Sequence, residues 1–225
     1  MIQDLIPAFS EGDMISVVII IFSYLVILLI AFPIHECAHA FAAKLLGDTT
    51  AEECGRVTLN PLAHLDPVGT FAILVFGIGW AKPVPVTPYR ARKVSQRAAM
   101  ALTAGAGPVS NILIALVFMI IGKIIAVATG FTSEMSLWLY LATSMIVDIN
   151  LGLAVFNLIP VPPLDGSKLF LSFLPNKIYF KVTEHGQHLM IILLIAIGTG
   201  LLNKPLSALS SLLYSGLDFI TGFIC

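Results

Sequence analysis

Residues 35 to 39 read His-Glu-Cys-Ala-His, a pattern that can hold a metal ion. In an α-helix each residue turns by about 100°, so His35 and His39 lie on one face and both imidazoles can reach the same ion. Zinc is the ion that such a pair typically binds when a glutamate follows the first histidine. Glu36 could then take a proton from a water on the metal. The pentad therefore predicts zinc-dependent hydrolysis.

The composition predicts a membrane protein. Of the 225 residues 58% are hydrophobic and 11% are charged, and the mean hydropathy is +0.97. A globule of this size cannot bury so much apolar surface. The net charge of −1 offers no basic surface, which excludes nucleic acid as a partner. The three cysteines have neither the spacing of a disulfide framework nor that of a thiolate zinc site.

Five apolar stretches are candidates for transmembrane helices, which need about 20 residues each. We expect a mainly α, polytopic bundle of about five transmembrane helices in a single integral-membrane domain, residues 1–225. Within it the catalytic core covers about 14–168 and a C-terminal helical hairpin covers about 186–224. The first stretch predicts an uncleaved anchor rather than a signal peptide. The stretches are 14–46, 98–128, 137–158, 188–202 and 206–224.

Residues 68–80 are apolar too, but thirteen residues with three glycines are too few for a tilted spanning helix. We expect a re-entrant or interfacial hairpin there. Its flanks, 55–61 and 81–88, are rich in β-branched residues and proline, which favours short β-strands.

The distribution of basic residues predicts the orientation. Ten of the twelve lysines and arginines follow the first or the third apolar stretch, and such loops are usually cytoplasmic. We therefore expect a multi-pass protein of the cell membrane with an external N-terminus. The pentad then lies toward the cytoplasmic side.

A catalytic zinc usually takes three protein ligands and leaves a fourth position for water, so one more ligand is needed. Asp165 is the candidate, because three prolines in residues 157–166 end the third apolar stretch and Gly166 permits a turn. The chain crosses the membrane at the first apolar stretch, returns at the second and crosses again at the third. The pentad and Asp165 are therefore on the same side, provided that residues 68–80 do not span the membrane. The alternative is an ordinary turn aspartate before glycine.

Five ordered motifs resemble the site-two protease family of intramembrane zinc metalloproteases, and most closely its compact prokaryotic members. They are the pentad, 60–70, 79–86, 106–111 and 157–166. The resemblance implies one zinc ion held by His35, His39 and Asp165, with Glu36 as the catalytic carboxylate. It also implies substrates that span or approach the lipid bilayer.

The resemblance further implies that Asn157 stabilises the oxyanion and that His64 is an accessory residue near the active site. His64 could equally satisfy backbone groups of the hairpin. Asn111 and Asn150 are expected to form interhelical hydrogen bonds. Some relatives carry a PDZ or CBS module, and we expect none in this chain.

Two other functions fit part of the pattern. A metal transporter would also place histidine and aspartate in membrane helices, but it would not need Glu36 beside the ligands. A non-catalytic scaffold would be expected to lose a ligand or the glutamate, and all four residues are present. The sequence leaves the substrate and the oligomeric state open.

Overall fold

The computed structural model describes residues 2–76 and 81–224. The expected mainly helical architecture is confirmed. In chain order the helices are α1 (Ile2–Ser10), α2 (Met14–Val26), α3 (Phe32–Leu45), α4 (Thr50–Glu53), α5 (Pro61–His64), α6 (Pro67–Phe76), α7 (Gln96–Thr129), α8 (Glu134–Asn157), α9 (Asp165–Leu171), α10 (Asn176–Glu184), α11 (Gly186–Gly198) and α12 (Asn203–Ile220). Short 3₁₀ turns occupy Pro88–Arg90 and Gly222–Ile224.

The first membrane-length helix is continuous from Met14 to Leu45 and changes its winding before the pentad. A π-helical turn, Ile27–Ala31, joins α2 to α3, and the amide of Phe32 donates to the Ile27 carbonyl. Pro33 follows at once and has no amide hydrogen to give. Such π turns widen a helix locally and often lie beside functional sites. The helix is therefore loosened by a π turn just before the pentad.

Helix α7 lies at the centre of the bundle and contacts α3, α8 and α9. It runs for 34 residues and forms an antiparallel hairpin with α8. Two apolar clusters hold these helices together. One is built from Ala115, Met119, Val147, Leu151 and Leu217, and the other from Ile27, Ala31, Ile114 and Ile146. Helix α3 carries the pentad and α9 carries Asp165, and both pack against α7. The packing of α7 therefore sets the position of the pentad relative to Asp165.

The structure supports fewer spanning helices than the five that composition predicts. Among the described residues three helices are long and apolar enough, Met14–Leu45, Gln96–Thr129 and Glu134–Asn157. A fourth is possible if α10 and α11, which meet at a 63° bend, cross together. The last apolar stretch forms α12, whose four serines, Lys204 and Asp218 lower its hydropathy. Asp218 pairs with Lys123 of α7 at 2.8 Å, so polar contacts help to hold α12 in place.

The predicted short β-strands beside the hairpin are wrong for the described residues. An isolated antiparallel bridge between Leu65 and Ala81 is the single β pairing found there. Prolines in both flanks lack the amide hydrogen that a ladder needs, and side chains bond much of the remaining backbone. Arg56 donates to the Lys82 carbonyl, and the amide of Thr87 donates to Asp48.

The same bridge joins the two ends of the predicted hairpin. Helix α6 starts two residues after Leu65, residues 77–80 lie outside the described residues, and Ala81 is paired with Leu65 again. The amide of Lys82 also donates to the His64 carbonyl at 2.7 Å. The two ends of the segment therefore meet at one level, as a re-entrant segment requires.

An ion pair ties the loop after α3 to the chain that leaves the hairpin. The Arg90 guanidinium donates to both carboxylate oxygens of Glu53, at 2.7 and 3.0 Å. Together with the Thr49 hydroxyl it lowers the pKa of Glu53 to about 2. The hairpin is thus fastened to the end of the helix that carries the pentad.

Single cysteines at Leu59 and Lys82 should be labelled from the same side of the membrane. Both positions are exposed and flank the paired ends of the hairpin. The measurement is modification by a membrane-impermeant maleimide in sealed vesicles, with Cys37, Cys54 and Cys225 replaced by serine.

A cysteine at Thr132, in the exposed turn between α7 and α8, is the control and should react only from the opposite side. Labelling of positions 59 and 82 from different sides would mean that the hairpin crosses the membrane.

Candidate metal centre

Three side chains from two distant parts of the chain meet at one point. The Nε2 atoms of His35 and His39 are 3.2 Å apart, and Asp165 Oδ2 lies 3.3 Å from the first and 3.2 Å from the second. Both imidazoles are buried and the carboxylate is largely buried. The structure thus brings together the three residues that the sequence nominates as ligands.

The triangle has the dimensions of a zinc site. Nitrogen and oxygen ligands bind zinc at about 2.0–2.2 Å in tetrahedral geometry, which separates the ligand atoms by roughly 3.3–3.5 Å. The observed separations of 3.2–3.3 Å are close to that value. Two neutral imidazoles and one carboxylate are also a donor set typical of catalytic zinc, which keeps a fourth position for water. The residues present therefore fit the ion.

A backbone carbonyl of α7 fixes the orientation of His39. The Nδ1–H group donates to the Thr103 carbonyl at 2.7 Å, since a carbonyl oxygen can only accept. This leaves the Nε2 lone pair of His39 directed at the centre of the triangle. Ligating histidines are commonly held by such a bond, which sets both tautomer and ring plane.

Gly107 lets α7 approach both histidines. A methyl group at this position would lie 2.4 Å from Nε2 of His39 and 2.6 Å from Cε1 of His35, far inside van der Waals contact. Gly107 precedes Pro108 in the middle of α7, and both are buried. Any side chain at residue 107 must therefore displace the rings or the helix.

Asp165 is presented by a tight turn after α8. The chain leaves α8 at Asn157, passes a cis peptide bond between Pro162 and Pro163, and enters α9 at Asp165 itself. The next residue, Gly166, packs against the end of α8, where a Cβ would lie 2.2 Å from the Leu158 carbonyl oxygen. The turn is closed too tightly for any other residue there, and this closure places the carboxylate opposite the histidines.

The other nominated residues lie elsewhere. Glu36 is half-buried on α3 and directly follows His35, outside the three-residue metal group. Asn157 ends α8 and its amide donates to the Leu153 carbonyl at 3.0 Å. His64 is fully buried and donates from Nε2 to the Thr58 carbonyl at 2.8 Å. This bond is the one expected from the alternative in which His64 satisfies backbone groups of the hairpin.

Two elements of the site escaped the sequence analysis, the Thr103 carbonyl and the contact at Gly107. Gly107 lies within the motif at residues 106–111, so its position was visible but its role was not. A backbone carbonyl has no residue-type signal at all. Both roles depend on which face of α7 meets α3, and only packing decides that.

Comparison with known proteins agrees with this geometry. A family model described as Peptidase family M50 matches residues 120–197, which include Asp165. The chain is 39% identical over 188 residues to Putative zinc metalloprotease YwhC of Bacillus subtilis (strain 168), which covers 79% of this chain and 81% of that relative. The chain belongs to peptidase family M50.

A second relative of this M50 peptidase is more distant. Putative zinc metalloprotease Rip2 of Mycolicibacterium smegmatis is 26% identical over 143 residues, covering 61% of this chain and 52% of Rip2. No solved structure gives a significant match. The resemblance to site-two proteases that the motifs indicated is confirmed, and the chain is a metallopeptidase of the membrane.

Replacing Gly107 by alanine in this M50 peptidase should disrupt the metal centre. Because the added methyl group overlaps both imidazoles, we expect the bound metal to fall well below one ion per chain. A displacement of about 1 Å at a catalytic centre costs on the order of 100-fold in rate. Metal content of the purified protein and its proteolytic rate are the measurements.

Gly105→Ala is the matched control on the same helix. A Cβ at residue 105 meets only Leu169 Cδ1, at an ordinary 3.8 Å. This variant should keep metal and activity, since alanine is the better helix former. Equal metal content in the 105 and 107 variants would show that the approach of α7 does not constrain the histidines.

Proposed function

We propose that this chain is an intramembrane zinc metalloprotease that hydrolyses peptide bonds in or near transmembrane segments of membrane proteins. The observation that carries the proposal is the triangle of His35, His39 and Asp165, in which both histidines are buried on a helix of membrane length. The names of both relatives, which describe zinc metalloproteases, support the choice of metal and reaction.

The position of the pentad along α3 supports cleavage within the bilayer. Helix α3 ends at Leu45, six residues after His39 and ten after His35. At 1.5 Å per residue the two ligands lie roughly 9 to 15 Å from that end. The basic residues after α3 favour a cytoplasmic location for this end, so the site lies inside the membrane toward the cytoplasmic side.

Glu36 acts as the general base in this proposal. Zinc, when bound by the three ligands, lowers the pKa of a water toward 7 and polarises a carbonyl group. The Glu36 carboxylate takes the proton of the attacking water and then delivers it to the leaving amine. It directly follows His35 on α3 and is half-buried, which supports this role.

Asn157 is proposed to stabilise the negative charge that develops on the substrate carbonyl oxygen. A carboxamide nitrogen carries two hydrogens, and one of them is used by the bond to Leu153. The second can be donated to an oxyanion. The residue stands at the end of α8, just before the turn that presents Asp165.

The substrate must leave its helical form before it is cut, because every carbonyl of a membrane helix is bonded internally. The chain after the hairpin offers an unwound segment new partners. Residues 83–86 belong to no helix or strand, and the amides of Val84 and Val86 have no backbone acceptor in the described parts of the chain. An extended substrate can add to this edge through main-chain hydrogen bonds. Residues that weaken helices should therefore favour cleavage nearby.

Changing Glu36 to glutamine should spare zinc binding and abolish proteolysis. The amide keeps the shape of the side chain but cannot accept the proton, and general acid–base groups contribute about 100-fold to 10,000-fold in rate. The measurement is cleavage of single-span substrate proteins reconstituted with the enzyme in liposomes, together with zinc content.

Glu52→Gln is the matched control, because Glu52 is an exposed glutamate that pairs only with Lys44 in the described structure. It should leave the rate unchanged. Cleavage by the Glu36 variant at the rate of the control would refute the role of Glu36.

Removing the metal should stop cleavage reversibly. A zinc chelator should reduce the rate to background, and added zinc should restore it, because the three ligands are the only metal group among residues 2–76 and 81–224. The same liposome assay measures this. Cleavage that persists in the fully metal-free protein would exclude this site as its source.

A further inference from the structure

The second ring nitrogen of His35 has no partner. His39 anchors its Nδ1 on Thr103, but Nδ1 of His35 is buried and has no hydrogen-bond partner in the described structure. When Nε2 binds a metal, Nδ1 carries the hydrogen, so this atom is a buried donor. A buried donor without an acceptor destabilises the folded protein. The two ligands therefore differ in how they are held.

A buried acceptor without a partner lies on the facing helix. Oδ1 of Asn111, on α7, is also buried and finds no partner among the residues that the structure describes, and the residue as a whole is 2% exposed. A carboxamide oxygen accepts hydrogen bonds and cannot donate them. His35 thus has a buried hydrogen-bond donor that needs an acceptor, and Asn111 has a buried acceptor that needs a donor.

The packing of α3 on α7 brings these two groups to the same place. The helices run antiparallel, as His39 pairs with Thr103 while the ring of His35, one turn earlier, reaches Gly107. The Cε1 atom of His35 lies 2.6 Å from the Cβ position of residue 107, and Nδ1 is bonded to Cε1. The nitrogen is therefore beside α7 at Gly107.

Asn111 lies one helical turn beyond Gly107 on the same face of α7, with Cβ positions about 5–6 Å apart. Side chains in a helix lean toward its N-terminus, so the Asn111 carboxamide leans back toward Gly107 and the His35 ring. A carboxamide on this face, directly or with one bridging water, is suited to accept the hydrogen of His35 Nδ1.

We propose that Asn111 is the positioning residue for His35, accepting the Nδ1–H hydrogen bond directly or through one buried water. The inference rests on the proposed zinc site and deepens it. Thr103 and Asn111 then perform the same task for the two histidines, one through a backbone carbonyl and one through a side chain. Outer partners of this kind typically change metal affinity by about 10-fold to 100-fold.

The test compares two substitutions at Asn111 in the purified full-length protein. Asn111→Leu keeps the approximate volume and removes the acceptor, whereas Asn111→Asp keeps an oxygen in the same place. We expect the leucine variant to bind zinc about 10-fold to 100-fold more weakly and the aspartate variant to stay close to wild type. Zinc affinity is measured by competition with a chromophoric chelator, and the visible spectrum of bound Co²⁺ reports ligand geometry.

Asn150→Leu is the control for the loss of a buried asparagine. Asn150 is fully buried on α8 and also has an unpaired Oδ1, but its amide bonds to Ile146 of its own helix. Its zinc affinity and Co²⁺ spectrum should match wild type. If Asn111→Leu does not assemble, the smaller Asn111→Val is measured in its place.

Wild-type affinity in the leucine or valine variant would overturn the inference, as would an equal loss in the aspartate or Asn150 variant. His39→Ala separates this result from failure of the proposed function. If that variant binds zinc as tightly as wild type, the ion is not held by the triangle, and the proposed function itself fails.

Discussion

The close approach of α3 and α7 at Gly107 is the constraint on which the metal centre depends. It presses both imidazoles against one helix, so that His39 reaches the Thr103 carbonyl and the two Nε2 atoms face the same point. The third candidate ligand, Asp165, is carried by α9, which also packs on α7. Helix α7 therefore positions candidate ligands that are far apart in sequence. Asp165 follows His39 by 126 residues and His35 by 130 residues.

A second constraint is that the segment after α5 returns to its origin. If it crossed the membrane, Asp165 would lie on the opposite side from the histidines. The bridge from Leu65 to Ala81 and the bond from Lys82 to His64 bring its two ends together. His64 contributes by donating to the Thr58 carbonyl, so this backbone group is satisfied inside the protein. Irregular backbone at membrane depth needs that protection.

The site combines rigid and loosened elements. Hydrogen bonds and close packing fix the ligands, while the π turn at Ile27–Ala31 and the broken end of α8 lie directly next to them. Polar chemistry inside an apolar bundle requires each buried donor and acceptor to find a partner. The pairing proposed for His35 and Asn111 follows from that requirement, because it satisfies two buried groups that have no other partner in the described part of the chain.

The sequence by itself pointed to the class of chemistry and nominated the candidate ligands. The spacing of His35 and His39 follows from helix geometry, and prolines with a glycine mark Asp165 as a carboxylate on broken backbone. The sequence did not determine whether the flanks of the hairpin form strands or how many helices span the membrane. Prolines change strand pairing and scattered serines change hydropathy, and the length of an apolar stretch shows neither effect. Tertiary structure decided which face of α7 meets the histidines, and so the roles of Thr103 and Gly107. Those roles arise from contacts between distant segments, which leave no periodicity in either segment.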